Sequence, residues 1–218
     1  MTTSDRERGA RLPPELARSP LRVIRPADAV GVYAHPRQEF RRLAAAGVLH
    51  RIAPGYYVVV PQDQVGRPWI PDLESAAVGV SAAIEGVDNV VAMGVTAARL
   101  HGALPRALAT AVIAVPRQHR SIALTDRTAT VQFVRRDTTS LDAERIATDL
   151  GPALVTTPEQ TVLDLAKRPN LGDAAVDVPQ AISMLYHQSD NDRLHRLAKE
   201  HRFVRTLRRV EAELGLGR

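Results

Sequence analysis

Residues 25–60, RPADAVGVYAHPRQEFRRLAAAGVLHRIAPGYYVVV, decide the fold, because they read as two short helices followed by a two-stranded wing. Pro26 suits a helix start, since its missing N–H is one of the donors a first helical turn leaves unbonded, and Gly31 supplies a stop. A second helix is predicted from Pro36 to Ala46, with Gly47 as the residue able to take the left-handed conformation beyond it. At roughly 100° per residue, Phe40, Leu43 and Ala44 share one face while Gln38, Arg41, Arg42 and Ala45 lie opposite. After Gly47 the chain turns to Val48-Leu49-His50-Arg51-Ile52, then the turn Pro54-Gly55, then Tyr56 to Val60 with high strand propensity.

Two helices and a hairpin in this order make a winged helix-turn-helix, whose second helix enters the major groove while the wing touches the backbone. Arginine reads guanine and glutamine reads adenine by paired hydrogen bonds. Arg37, Gln38, Arg41 and Arg42 are therefore candidates for base or phosphate contacts, and Arg51 for a phosphate contact.

Outward from this segment, charge is uneven. Residues 1–62 hold 10 arginines against 5 acids, residues 63–192 hold 11 basic against 16 acidic, and residues 193–218 hold 8 against 3. Basic ends around an acidic middle point to an acidic partner at the ends and a separate task between them. Of 29 basic residues only Lys167 and Lys199 are lysine. That bias reflects a GC-rich genome and weakens the high isoelectric point as evidence for nucleic acid.

The absence of cysteine excludes disulfides, thiolate zinc sites and cysteine nucleophiles, and fits a reducing compartment. No apolar run approaches the roughly 20 residues of a membrane span, and MTTSDRERGAR lacks the apolar centre of a secretion signal. The expectation is a cytoplasmic protein without membrane contact. Neither GxxxxGK[ST] nor GxGxxG between strand and helix occurs. The seven histidines form no HExxH and no dense ligand cluster, so no metal is expected. Asp164 near Lys167 lacks the second carboxylate and strand setting of a nuclease.

The expected organisation is α+β. A flexible tail covers 1–12, a winged helix-turn-helix domain covers 13–62, and a mixed α/β domain ending in helices covers 63–218. Pro13 to Ala17 can open a short helix. The stretch Pro61 to Pro71 reads as a crossing, with Trp69 pinning it to a domain. Helices are predicted over Leu73–Ile84 and Thr96–His101, the latter capped by Thr96. Strands are predicted over Ala111–Val115, Ala129–Val134 and Leu154–Thr156. Thr157-Pro158-Glu159-Gln160 is a capping box ahead of a helix through Lys167. Ile182, Leu185 and Tyr186 mark another helix, and Leu194, Leu197, Val204, Leu207 and Leu214 one long amphipathic helix. The polar face of that last helix carries Arg196, Lys199, Arg202, Arg205 and Arg209, a docking surface for nucleic acid or an acidic protein.

The ordered motifs GVLHRIAPGYYVV, GVTAARLHGALP and TTPEQTVLDLAKRP, followed by a basic helical end, resemble the AbiEi-type antitoxins of bacterial toxin–antitoxin pairs, the mycobacterial members most. The likeness runs from about Leu12 to the C-terminus. It implies a winged domain that represses its own operon, often at inverted repeats, and a C-terminal domain that confers antitoxicity. It also implies a neighbouring nucleotidyltransferase-like toxin that acts on tRNA. The DNA role then falls on Arg37, Gln38, Arg41, Arg42 and Arg51. For antitoxicity or partner binding the candidates are Arg99 and His101, which lie in the family's motifs with Thr157 and Asp164, together with Arg196, Lys199, Arg202 and Arg205. No cofactor is expected. An alternative from another class is an atypical kinase-like enzyme that phosphorylates the toxin and would require ATP and Mg²⁺; no motif decides the enzyme question.

Overall fold

The computed structural model describes residues 12–216, so the predicted tail lies outside the described residues except for Leu12. A short helix α1 (Pro14–Ala17) leads to strand β1 (Val23–Ile24) and a 3₁₀ turn over Pro26–Ala29. Helix α2 (Pro36–Ala45) follows, then the hairpin of β2 (Leu49–Ala53) and β3 (Tyr56–Val59). β1 pairs antiparallel with β3, so the wing is a three-stranded sheet of order β1-β3-β2. The first predicted helix is thus a single 3₁₀ turn. Arg25 donates its backbone N–H and guanidinium to Asp28, which caps the start of that turn.

Helix α3 (Leu73–Glu85) begins the larger unit, capped by Asp72, which accepts from the Ser75 N–H at 2.6 Å. Beyond it come β4 (Val91–Ala92), α4 (Val95–Leu100), β5 (Thr110–Val115), β6 (Ile122–Ala123), β7 (Thr130–Arg135), β8 (Ala143–Thr148) and β9 (Gly151–Thr156). These strands form one mixed sheet of order β6-β7-β5-β4-β9-β8, parallel at β5–β7 and β4–β9 and antiparallel elsewhere. Helices α5 (Pro158–Lys167), α6 (Val178–Gln188), α7 (Asn191–Glu200) and α8 (Val204–Glu213) complete the α+β architecture, helical at its C-terminal end as expected.

The central strand TAVIAV is apolar without interruption because both of its faces are covered. Val112 and Ala114 join the core under the C-terminal helices, while Ala111, Ile113 and Val115 face α3. That second core also contains Leu21, Val23, Ile52, Ala53 and Val58 of the winged unit, and Trp69 packs against it, as the reading of the crossing anticipated. A third, smaller core around Leu16, Ile24, Phe40, Leu43 and Leu49 holds α2 on its sheet. The winged unit therefore has its own core and also shares one with α3.

Three local expectations are corrected. Thr96 does not cap α4; its hydroxyl accepts the Val112 N–H at 2.6 Å, tying the helix to β5, and Gly94 occupies the capping position. Thr157 caps α5, but Gln160 reaches forward to Asp164 while the Thr157 N–H goes to Asp142, so only half of the capping box forms. The long final helix is two helices, interrupted where Arg202 takes φ +58° and the Phe203 N–H bonds the Ala198 carbonyl. On one straight helix Leu207 and Val210 would lie about 140° around the axis from Leu194 and Leu197. The corner lets both pairs enter the same core.

Candidate functional site

Pro36 opens α2, and Phe40 and Leu43 seat it, both fully buried. Phe40 meets Tyr57 of β3 edge to face, centroids 5.3 Å apart, in an arrangement favourable to two aromatic quadrupoles. At the other end Gly47, at φ +72°, lets the Val48 N–H bond the Leu43 carbonyl and turns the chain into β2. Residues 38, 41, 42 and 45 are exposed, as the periodicity required.

Between α2 and the hairpin lies a hollow of about 480 Å³, lined by Pro26, Arg37, Arg41, Arg51, Gly55 and Tyr57. It brings together three of the five arginine and glutamine candidates. A neighbouring hollow of about 550 Å³ at the start of α2 is lined by Gln38, His35 and the exposed Val30, with Arg37 and Arg41 again at its rim. Arg42 lines neither hollow. Its guanidinium pairs with Glu39 at 2.6 Å, and this hydrogen bond holds the Glu39 carboxyl below the usual carboxylate range. Arg51 sits on β2 opposite Tyr57.

The wing is braced by the larger unit. The Thr125 N–H donates to the Ile52 carbonyl at 2.8 Å, and His50 contacts Asp126, which also pairs with Arg127 at 2.8 Å. Nothing local in Thr125-Asp126-Arg127 links it to a strand more than 70 residues earlier. Burial pushes the Asp126 carboxyl up, but the bonds from Arg127 and His50 outweigh it and leave the group below its ordinary value.

The remaining candidates divide into two groups. Arg99 and His101 serve the scaffold: Arg99 Nε meets the buried Glu74 at 2.8 Å, and its Nη1 donates to the carbonyls of Leu104, Pro105 and Arg106. His101 Nε2 donates to the Thr156 carbonyl at 2.8 Å. Asp164 is buried against Arg136 at 3.2 Å, and burial pushes its carboxyl up. Lys167 is not its partner; that ammonium stands over the Phe203 ring, 5.4 Å from the centroid.

Lys199, Arg202 and Arg205, by contrast, line a single open hollow of about 580 Å³ at the corner of α7 and α8. Lys167, which the sequence reading set at a helix end and weighed beside Asp164 but not with these cations, completes its rim. Arg196 is exposed on α7 but lies outside the hollow. Among the described residues no group of His, Cys, Asp or Glu is placed to hold a metal, and no helix is long and apolar enough to cross a membrane.

The sequence profile of the AbiEi antitoxin C-terminal domain matches residues 90–216. Among solved structures, that of the RV2827C protein from Mycobacterium tuberculosis is similar, with a TM-score of 0.55 and 23% identity over 85% of this chain and 69% of that one. At that identity the likeness speaks for the fold. No curated protein matches the chain.

Proposed function

The chain belongs to the AbiEi antitoxin C-terminal domain family, and from that premise we propose that it neutralises a cognate nucleotidyltransferase-type toxin while repressing its own operon through the winged unit. The family supports the antitoxin role. The DNA role rests on one observation, the convergence of Arg37, Arg41 and Arg51 on the hollow between helix α2 and the wing.

A helix that offers Arg37, Gln38 and Arg41 from its exposed first turns presents forked donors to base edges, and a wing arginine set beside them meets the adjoining phosphates. Specificity falls to the helix and general affinity to the wing. DNA binding is assigned to residues 13–62 and antitoxicity to residues 63–218. The core shared by Val23, Ile52 and Val58 with α3 supports treating the two as functional units of one folded body.

The test is fluorescence anisotropy of labelled DNA from immediately upstream of the gene, titrated at several salt concentrations. Binding that weakens with log salt at a slope of about −0.9 per neutralised phosphate supports the reading. A slope near zero, or equal affinity for unrelated DNA, removes the repressor role. Growth rescue on co-expression with the toxin encoded beside it tests the antitoxin half separately.

A further inference from the structure

The hollow at the α7–α8 corner is built from four cations on three helices and the corner between two of them: Lys167 at the end of α5, Lys199 in the last turn of α7, Arg202 at the corner and Arg205 in the first turn of α8. Among the described residues none of the four has a carboxylate partner within 4.0 Å, whereas many other arginines of the chain do.

Lysines at the C-terminal ends of helices have an ordinary explanation, because they offset the partial negative charge of the helix dipole. Arg205 has no such explanation. It occupies the first turn of a ten-residue helix, where the dipole is positive, and that turn carries neither an acid nor a capping side chain. Arg202 takes the left-handed conformation because it closes the end of α7, and the corner it makes sets its side chain beside Lys199 and Arg205 on the same hollow. Mutual repulsion among the four cations and an uncapped helix start would both be relieved by the same species, a compact multivalent anion.

We propose that this hollow binds the polyphosphate chain of a nucleoside polyphosphate. Four cations on one hollow match a triphosphate's charge more closely than that of a single phosphate. The site is separate from the groove between α2 and the wing and does not depend on the DNA reading.

The full-length protein would be titrated calorimetrically with inorganic tripolyphosphate, with ATP, and with a short single-stranded oligonucleotide unrelated to the upstream DNA. The same titrations would use K199Q/R205Q and, as a control, R37Q/R41Q, all four positions being exposed and replaceable without loss of core. Expected is saturable one-to-one binding of tripolyphosphate and ATP that weakens by about tenfold or more in K199Q/R205Q and is unchanged in R37Q/R41Q. ATP binding tighter than tripolyphosphate would identify a nucleotide, and equal affinity a polyphosphate chain alone. The proposal is overturned if neither anion saturates, if only the oligonucleotide binds, or if K199Q/R205Q binds like the parent while circular dichroism shows it folded.

Discussion

His50 Nε2 lies 2.8 Å from Oδ2 of Asp126, a residue 76 positions further along the chain, and through this contact the larger unit holds the wing in place. Asp126 is almost fully buried and is shared between His50 and Arg127. The wing arginine, Arg51, is the next residue after His50 on the same strand, so the brace also sets where Arg51 stands.

Acid should therefore loosen the wing. The folded-state carboxyl of Asp126 lies below its ordinary value, so the stability it contributes is present above the unfolded-state value and is lost as pH falls through the folded one. Stability measured by urea titration is expected to decline below about pH 4, with a shallower decline in Asp126→Asn. Removing the carboxylate with Asp126→Ala should cost about 1–3 kcal/mol at neutral pH, because a part-buried histidine and arginine lose their shared acceptor. An unchanged acid limb in Asp126→Asn would show that the brace carries no stability.

Arg37→Ala and Arg41→Ala should each weaken binding to upstream DNA and, where a phosphate contact is lost, lower the salt slope by about 1. Arg42→Ala should matter less, since that guanidinium is engaged by Glu39 and lines neither hollow beside α2. Anisotropy titrations with circular dichroism as the folding check would decide. A larger loss in Arg42→Ala than in Arg41→Ala would reverse the assignment of the reading face.

Gly79 of α3 packs so closely on Val23 that a Cβ added there would collide with the valine side chain. Alanine usually improves a helix by about 1 kcal/mol over glycine, but Val23 is β-branched and cannot swing aside cheaply. Overpacking should win, and Gly79→Ala is expected to destabilise the full chain by about 1–3 kcal/mol. A raised melting temperature would mean that the two units separate at this seam.

For the same reason residues 63–218 alone should fold poorly. Removing the winged unit uncovers the side of the core that Leu21, Val23, Ile52 and Val58 complete. The fragment is expected to bind a hydrophobic dye and to melt below the full chain. Melting at the parent temperature would show instead that the larger unit keeps its core without the winged one, and growth rescue by the fragment would support antitoxicity within residues 63–218.

Arg99→Ala should act through folding. It strands the buried Glu74 and three carbonyls at once, a loss of about 3–5 kcal/mol by the rule for breaking a buried ion pair. Loss of rescue with an unchanged melting curve would make Arg99 a partner contact. In the same co-expression, the intact mass of the toxin separates neutralisation by contact, which leaves it unchanged, from the kinase alternative, which adds a phosphate-sized increment.

Local chemistry made much of this protein legible from its residues. Pro36, the 3.6-residue spacing of Phe40 and Leu43, Gly47 and the Pro54-Gly55 turn specify α2 and the hairpin through backbone geometry alone, and the exposed Arg37, Gln38 and Arg41 follow from that spacing. Leu73–Glu85, Thr110–Val115 and Pro158–Lys167 were equally clear, because each is a long apolar or capped run. Strands β4 and β8 were not: the first is two residues long, and the second is an edge strand whose exposed Glu144 and Arg145 hide its pairing with β9. Only the tertiary structure decided that the final helix breaks at Arg202, since the break serves a core assembled from α5, α6, α7 and α8 together. It likewise decided that Arg99 and His101 turn inward, that Lys167 joins the C-terminal cations, and that Asp126 braces the wing. Each of these depends on groups distant in sequence meeting across a shared core, and periodicity along one chain carries no record of such meetings.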